Sequence, residues 1–259
     1  MSPDRVRIVT GEWAPYISER FAQGGVACHL AQEAFARAGL AVEIEFTMPW
    51  LEGVYELAKA GHYDATLAWR PTPARREDFL ASADPVMENR YVLFHRRDVA
   101  FDWRRFSDLR PHAIAGTRGF NYGERFRRAE AEGAIELRWS DTTRESFERL
   151  LRGEVALVAH DQGVGQEDLR AQLRPAEAAR IAFHPRMTDH HLSHVIFPRR
   201  HPERSRALCE AFDRGMAELR AGGEILRWVE DFKAGHYGNA PFPGEYWTLE
   251  SPLEALEER

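Results

Sequence analysis

Apolar and polar residues alternate from Arg5 to Thr10 with the two-residue period of a strand, and the loop Gly11-Glu12-Trp13-Ala14-Pro15-Tyr16 follows. Beyond Gly24-Gly25 the period changes. Val26, Leu30, Ala34 and Phe35 recur at helical spacing up to Gly39, a residue suited to a helix stop. Alternation returns from Val42 to Phe46; 50–60 reads as a helix ending at Gly61, and 63–69 as a third strand. Strand, helix and strand in this order predict an α/β unit with largely parallel strands.

The pattern restarts after Ser107. A strand over 113–115, a turn Gly116-Thr117-Arg118-Gly119 and a helix over 122–132 come first. A helix over 142–152 then stops at Gly153, and a strand over 155–159 runs into His160-Asp161. Two extended segments, 90–97 and 192–200, read as connections between the units. A helix over 202–221, with Leu208, Phe212, Met216 and Leu219 on one face, precedes another over 224–232. A chain that leaves the first unit at one extended segment and returns at the other has residues 1–94 and 196–259 as a discontinuous first lobe. Residues 95–195 are then an inserted second lobe, and the protein is hinged. Ligands in open α/β sheets bind off the carboxyl ends of the strands, which here carry polar or aromatic groups.

Composition narrows the classes. The chain has 259 residues, 44% hydrophobic and 29% charged, enough to bury a core without metals or disulfides. A formal charge of -6 argues against holding nucleic acid by phosphate neutralisation. Lys59 and Lys233 are the two lysines, so arginine makes up 33 of 35 basic residues, a skew that by itself marks no site. No run of 18 apolar residues occurs, and Met1-Ser2-Pro3 leads directly into a strand, which gives neither a membrane span nor a signal peptide. Cys28 and Cys209 each sit on the apolar side of a helical segment and read as buried thiols.

The order and spacing of several segments resemble the solute-binding proteins of ABC importers, in the polar amino-acid-binding branch known as extracellular solute-binding protein family 3. The resemblance rests on Trp13-Ala14-Pro15-Tyr16 after the first strand, Gly61 to Ala65, Thr72 to Arg76 ahead of Ser82-Ala83-Asp84-Pro85, Gly153 to Asp161, and the closing helix ending in Gly222-Gly223. It implies an α/β, two-lobe periplasmic-binding-protein fold. Each lobe would be a central mixed sheet flanked by helices, and two strands would form the hinge.

The resemblance also implies a ligand site. Trp13 matches the aromatic residue that covers the ligand. The arginine that holds a ligand carboxylate falls at Arg76, with Arg75 one residue away as the alternative register. A guanidinium suits that task because it donates two parallel hydrogen bonds. The acid that receives a ligand ammonium falls at Asp161, eight residues beyond Gly153; a loop cap or a hinge salt bridge is its alternative reading. His160 beside it points away by strand alternation. Phe120 stands where the family has a threonine, and Ala68 and Trp69 where it has serines. The pocket is therefore expected to be more apolar, with Trp13, Trp50, Trp69, Phe120 and Tyr122 as walls.

Two local readings remain open. The amides of Gly119 and Phe120 lie just before a helix and suit an anion, while Asn121 and Glu124 have capping-box spacing. Asp189-His190-His191 has metal-ligating residue types, but adjacent histidines on an extended segment face opposite ways, so no metal site is expected. No phosphate loop, nucleophile elbow or paired zinc cysteines occur, so neither a cofactor nor catalytic residues are expected. The expectation is a periplasmic, monomeric binding protein without membrane insertion, delivering a small carboxylated solute to a permease. The alternatives are an enzyme on the same fold, resembling cyclohexadienyl dehydratase with Glu12 or Asp161 as its acid, and a detached sensor domain.

Overall fold

The structure, a computed structural model, describes residues 5–242 and Leu249. It divides into two compact units: one contains the segment ending at Glu88 and the segment resuming at Leu192, and the other is Asn89–His191. The parts of the expected first lobe at 1–4, 243–248 and 250–259 lie outside the described residues.

In the first unit, β1 (Arg5–Thr10) pairs in parallel with β2 (Ala41–Phe46) and β3 (Ala65–Trp69), and β3 pairs antiparallel with β9 (Asp189–Pro198). The strand order is β2-β1-β3-β9-β4, where β4 is Phe79–Arg96. Beside the sheet, α1 (Val26–Arg37), α8 (Pro202–Ala221) and α9 (Glu224–Ala234) pack together, with Leu30, Phe35, Phe212 and Met216 fully buried. Gly215 permits the close approach of α8 to α1, because a Cβ there would run into the Ala34 carbonyl.

In the second unit, the later half of β4 pairs antiparallel with β7 (Leu157–Asp161) and with β8 (Ile181–Phe183). β5 (Ala113–Thr117) lies parallel to β7 and to β6 (Glu136–Ser140). Around these strands are α4 (Glu124–Ala131), α5 (Thr143–Arg152), α6 (Gln162–Gln172) and α7 (Pro175–Ala178). Both units are thus mixed sheets with helices. The α5 helix starts where a Thr142 hydroxyl accepts the Glu145 amide and stops at left-handed Gly153.

Two local readings change, and one short helix is added. The 50–60 helix is π-helical over Trp50–Glu56 and α-helical only over Leu57–Lys59 (α2). Thr72 caps a six-residue helix, α3 (Pro73–Asp78), with Pro73 in its first turn. Asn121 and Glu124 form no capping box: α4 is capped by Gly123, whose amide bonds the Asn121 side chain at 3.1 Å. The reason is backbone: Gly123 has φ +88, and a Cβ there would collide with the Asp189 carboxylate.

Candidate functional site

The carboxyl end of β3 carries a local distortion. Its register against β9 shifts between Thr66 and Trp69, and Ala68 has a left-handed φ of 66°, a conformation that costs free energy without glycine. The distortion seats the Trp69 indole in the interior, 7% exposed, with its N–H donated to the Thr66 hydroxyl at 2.9 Å.

Trp69 is the centre of an aromatic cluster within the first unit. Trp50 meets it edge-on at 5.5 Å between centroids, Tyr55 at 5.2 Å, and Trp13 meets Trp50 edge-on at 6.1 Å. The Trp50 N–H donates to the Glu12 carbonyl at 3.2 Å, and Gly11 leaves room for the ring. Trp13 and Trp50 are half-buried, whereas Tyr55 is buried and donates its hydroxyl to Asp78 at 3.0 Å. Burial and that carboxylate push the Tyr55 phenol up to about 12.

The arginine that the structure brings into this cluster is Arg75. Its guanidinium carbon lies 4.7 Å from the Trp69 ring centroid and 5.9 Å from that of Tyr55. Its Nη1 donates to the Arg70 carbonyl at 3.0 Å, and the Thr72 hydroxyl accepts its amide at 3.3 Å. A cation over an indole face gains about 0.5–2 kcal/mol, rising as water is excluded. Arg76 is exposed; its Nε donates to the Pro71 carbonyl at 3.2 Å, and its own carbonyl accepts from Arg199. One residue of helix, a 100° turn, separates the two.

The second unit's expected site residues are built differently. Asp161 is fully buried and caps α6: one carboxylate oxygen accepts the Val164 amide at 3.0 Å. The other accepts from Asn89 Nδ2 at 3.1 Å and the Arg90 amide at 3.2 Å. Tyr122 is buried in the unit's core, its hydroxyl accepting the Thr117 amide at 2.5 Å, and burial pushes its phenol up to about 12. Phe120 is half-buried against the His160 and Tyr122 rings, and its amide donates to the Thr117 carbonyl at 3.3 Å rather than standing ready for an anion. Gly119 is an exposed left-handed turn residue with nothing near its missing Cβ.

A polar network behind Asp161 had no sequence signal beyond His160 itself. His160 is fully buried, with Nε2 3.2 Å from the Thr143 hydroxyl and 3.6 Å from an Asp168 oxygen, and Nδ1 3.2 Å from the Asp161 carbonyl. Burial lowers His160 to about 4 and raises Asp168 to about 7, so both are neutral between those values. In the 189–191 segment, His191 Nδ1 pairs with Asp189 at 2.9 Å and stacks on Tyr91, while His190 is buried. Among the described residues no cluster of histidine, cysteine and carboxylate side chains is arranged to hold a metal ion. Cys28 is buried and Cys209 half-buried beside Asp213; burial raises both thiols.

Neither a known protein-family profile nor a curated protein matches the sequence. Solved structures do match the fold. A mutant of ArgBP from T. maritima shares 16% identity at a TM-score of 0.67, over 89% of this chain and 96% of that one. An amino acid ABC transporter substrate-binding protein, AbpA from Streptococcus pneumoniae, bound to L-arginine, shares 16% at 0.65 over 90% and 96%. A histidine kinase sensor domain with similarity to periplasmic binding proteins shares 19% at 0.68 over 88% and 95%. Among the described residues no helix is long and apolar enough to cross a membrane. The chain has the two-lobe periplasmic-binding-protein fold, with its second α/β unit inserted into its first.

Proposed function

We propose that the protein is a non-enzymatic, monomeric substrate-binding protein that captures a small carboxylated solute outside the cytoplasm for delivery to the permease of an ABC importer. The observation that carries this reading is the arginine stacked on a tryptophan among aromatic rings at the carboxyl end of β3. Such a cluster offers apolar walls and a planar donor fork together, the combination that a small organic acid requires. The neighbours on the same fold, one of them bound to L-arginine, support solute capture. Trp13, Trp50 and Trp69 are the walls, and the 75–76 arginine pair supplies the carboxylate partner.

Thermal denaturation against a library of amino acids and organic acids tests it. A saturable rise in Tm is expected with at least one carboxylate, without turnover of that compound; no rise across the library contradicts the reading. The sensor-domain neighbour favours a second reading, in which the same capture feeds a signalling partner. Cross-linking the solute-loaded protein in membranes separates the two, by recovering a permease or a kinase.

A further inference from the structure

We infer that the segment 235–242, which follows α9, sets the position of Trp13 and so acts on the candidate site as a positioning element; the link to a solute rests on the solute-binding reading above. Trp13 lies in the stretch 11–25 between β1 and α1, which holds one three-residue 3-10 turn, Ala22–Gly24, and otherwise lacks regular structure. A side chain on such a stretch is only as well placed as the contacts that tie the stretch down.

The ties begin at Trp13 itself. Its amide donates to the Ile17 carbonyl at 2.9 Å, and its own carbonyl accepts the Tyr16 and Ile17 amides at 3.0 and 3.1 Å. Trp13 is thereby locked in a tight turn with Tyr16, a buried residue. Trp50 supplies one anchor for this turn through the Glu12 carbonyl. The Tyr16 ring supplies another, from a different part of the chain: it stacks on Phe232 of α9 at 5.5 Å between centroids and lies 6.2 Å from the Phe242 ring. Phe242 is in turn 5.2 Å from Phe232. Aromatic contacts of this kind constrain tilt as well as distance.

A fold-back after α9 delivers Phe242 to these rings. Gly235 ends the helix at a left-handed φ of 84°, and a Cβ there would lie 2.8 Å from the Asn239 carbonyl. Asn239 Nδ2 then donates to the Phe232 carbonyl at 3.0 Å, and the Phe242 amide donates to the Lys233 carbonyl at 2.8 Å. Tyr237, Asn239 and Phe242 are buried while His236, Gly238 and Pro241 are exposed, so the segment presents one face to its unit. That face also holds the later part of the Trp13 stretch. The Ala22 amide donates to the Tyr237 carbonyl at 3.0 Å, and the Tyr237 hydroxyl lies 2.6 Å from His29 Nδ1 on α1. Displacing Phe242 therefore displaces Tyr16, and the turn carries the displacement to Trp13.

The competing account gives 235–242 a purely stabilising role. Were Trp13 held by Trp50 and by the bond from the Ala27 amide to the Tyr16 carbonyl alone, loss of Phe242 would lower Tm and leave Trp13 where it is. Fluorine NMR of protein labelled with 5-fluorotryptophan separates the two accounts. The Trp13 signal is assigned by its absence from Trp13→Phe, and those of Trp103 and Trp139 in the second unit are assigned in the same way as references. Phe242→Ala is expected to move the Trp13 signal by more than its linewidth with both references unmoved. Phe242→Leu, which restores part of the bulk, is expected to move it less. An unmoved Trp13 signal in folded Phe242→Ala overturns the inference, as does a leucine variant that moves the signal as far as alanine does. Where the alanine variant does not fold, the leucine variant decides alone: a moved signal supports the inference and an unmoved one overturns it. In calorimetric titration with the tightest carboxylate from the thermal screen, the same Phe242 variant is expected to bind roughly threefold or more weakly than wild type. A smaller loss overturns the link to the site. The fluorine measurement needs no solute, so a library without a hit removes the solute-binding reading while the signal still decides what positions Trp13.

Discussion

The β3 end of the first unit and the β7 end of the second occupy equivalent places in two similar α/β units, yet their polar groups are used in opposite ways. At β3 the aromatic rings are partly open, and a cation is laid on one of them by stacking. At β7 the acid, the histidine and the hydroxyl are buried, the acid capping α6 and the histidine meeting the Thr143 hydroxyl. Under the proposed reading, the rings and cation at β3 serve recognition, whereas the buried polar groups at β7 with engaged lone pairs hold the fold.

The largest expected effect tests the structural side. Asp161→Ala removes a helix cap and orphans buried donors, so chemical denaturation should show a loss of roughly 3 kcal/mol. A loss under about 0.5 kcal/mol would show that Asp161 is not holding α6. Gly123→Ala places a Cβ against Asp189 at φ +88 and should cost roughly 2 kcal/mol by the same assay. Thr66→Val leaves the buried Trp69 N–H without its acceptor and should cost about 1 kcal/mol. If Tm does not move, the indole has another partner.

The smallest effect in the native protein is a pH dependence that cancels. His160, lowered by burial to about 4 from 6.5, makes the unfolded chain bind more protons between those values, so its contribution to stability rises with pH there. Asp168, raised by burial to about 7 from 3.8, makes the folded chain bind more, so its contribution falls over that window. The two slopes oppose each other from about pH 4 to 6.5. Asp168→Asn should expose the histidine arm, giving a protein that loses stability on acidification from 6.5 to 4. His160→Gln should expose the carboxyl arm and give loss as pH rises from 4 to 7. Denaturant midpoints across this range check both, and parallel profiles for the two variants would contradict the coupling.

Much of the fold was legible because its signals are local. β1, α1, β2, α5 with Gly153, and α8 follow from apolar period and a glycine stop. What escaped lacked such a period. The α6 sequence Gln162-Gly163-Val164-Gly165 has low helix propensity, and its start depends on the Asp161 helix cap, a role that was not read from sequence. The Thr72-Pro73 start of α3 has a cap and an N-terminal proline, but the helix is only six residues long and no helix was read there from sequence. Trp13, Trp50 and Trp69 form one contiguous ring cluster in the first unit. The choice between Arg75 and Arg76 was beyond sequence, because one helical step decides which guanidinium reaches the Trp69 face. The buried partners of Asp161 were equally out of reach, since Asn89 and Arg90 lie some seventy positions away in the chain.

The most direct test of the account is a comparison of Arg75→Gln with wild type in calorimetric titration of the tightest carboxylate found by thermal screening. The account predicts at least a tenfold loss of affinity, about 1.4 kcal/mol, in a variant whose unliganded Tm is unchanged. An affinity within twofold of wild type would contradict it, placing carboxylate recognition somewhere other than the arginine stacked on Trp69.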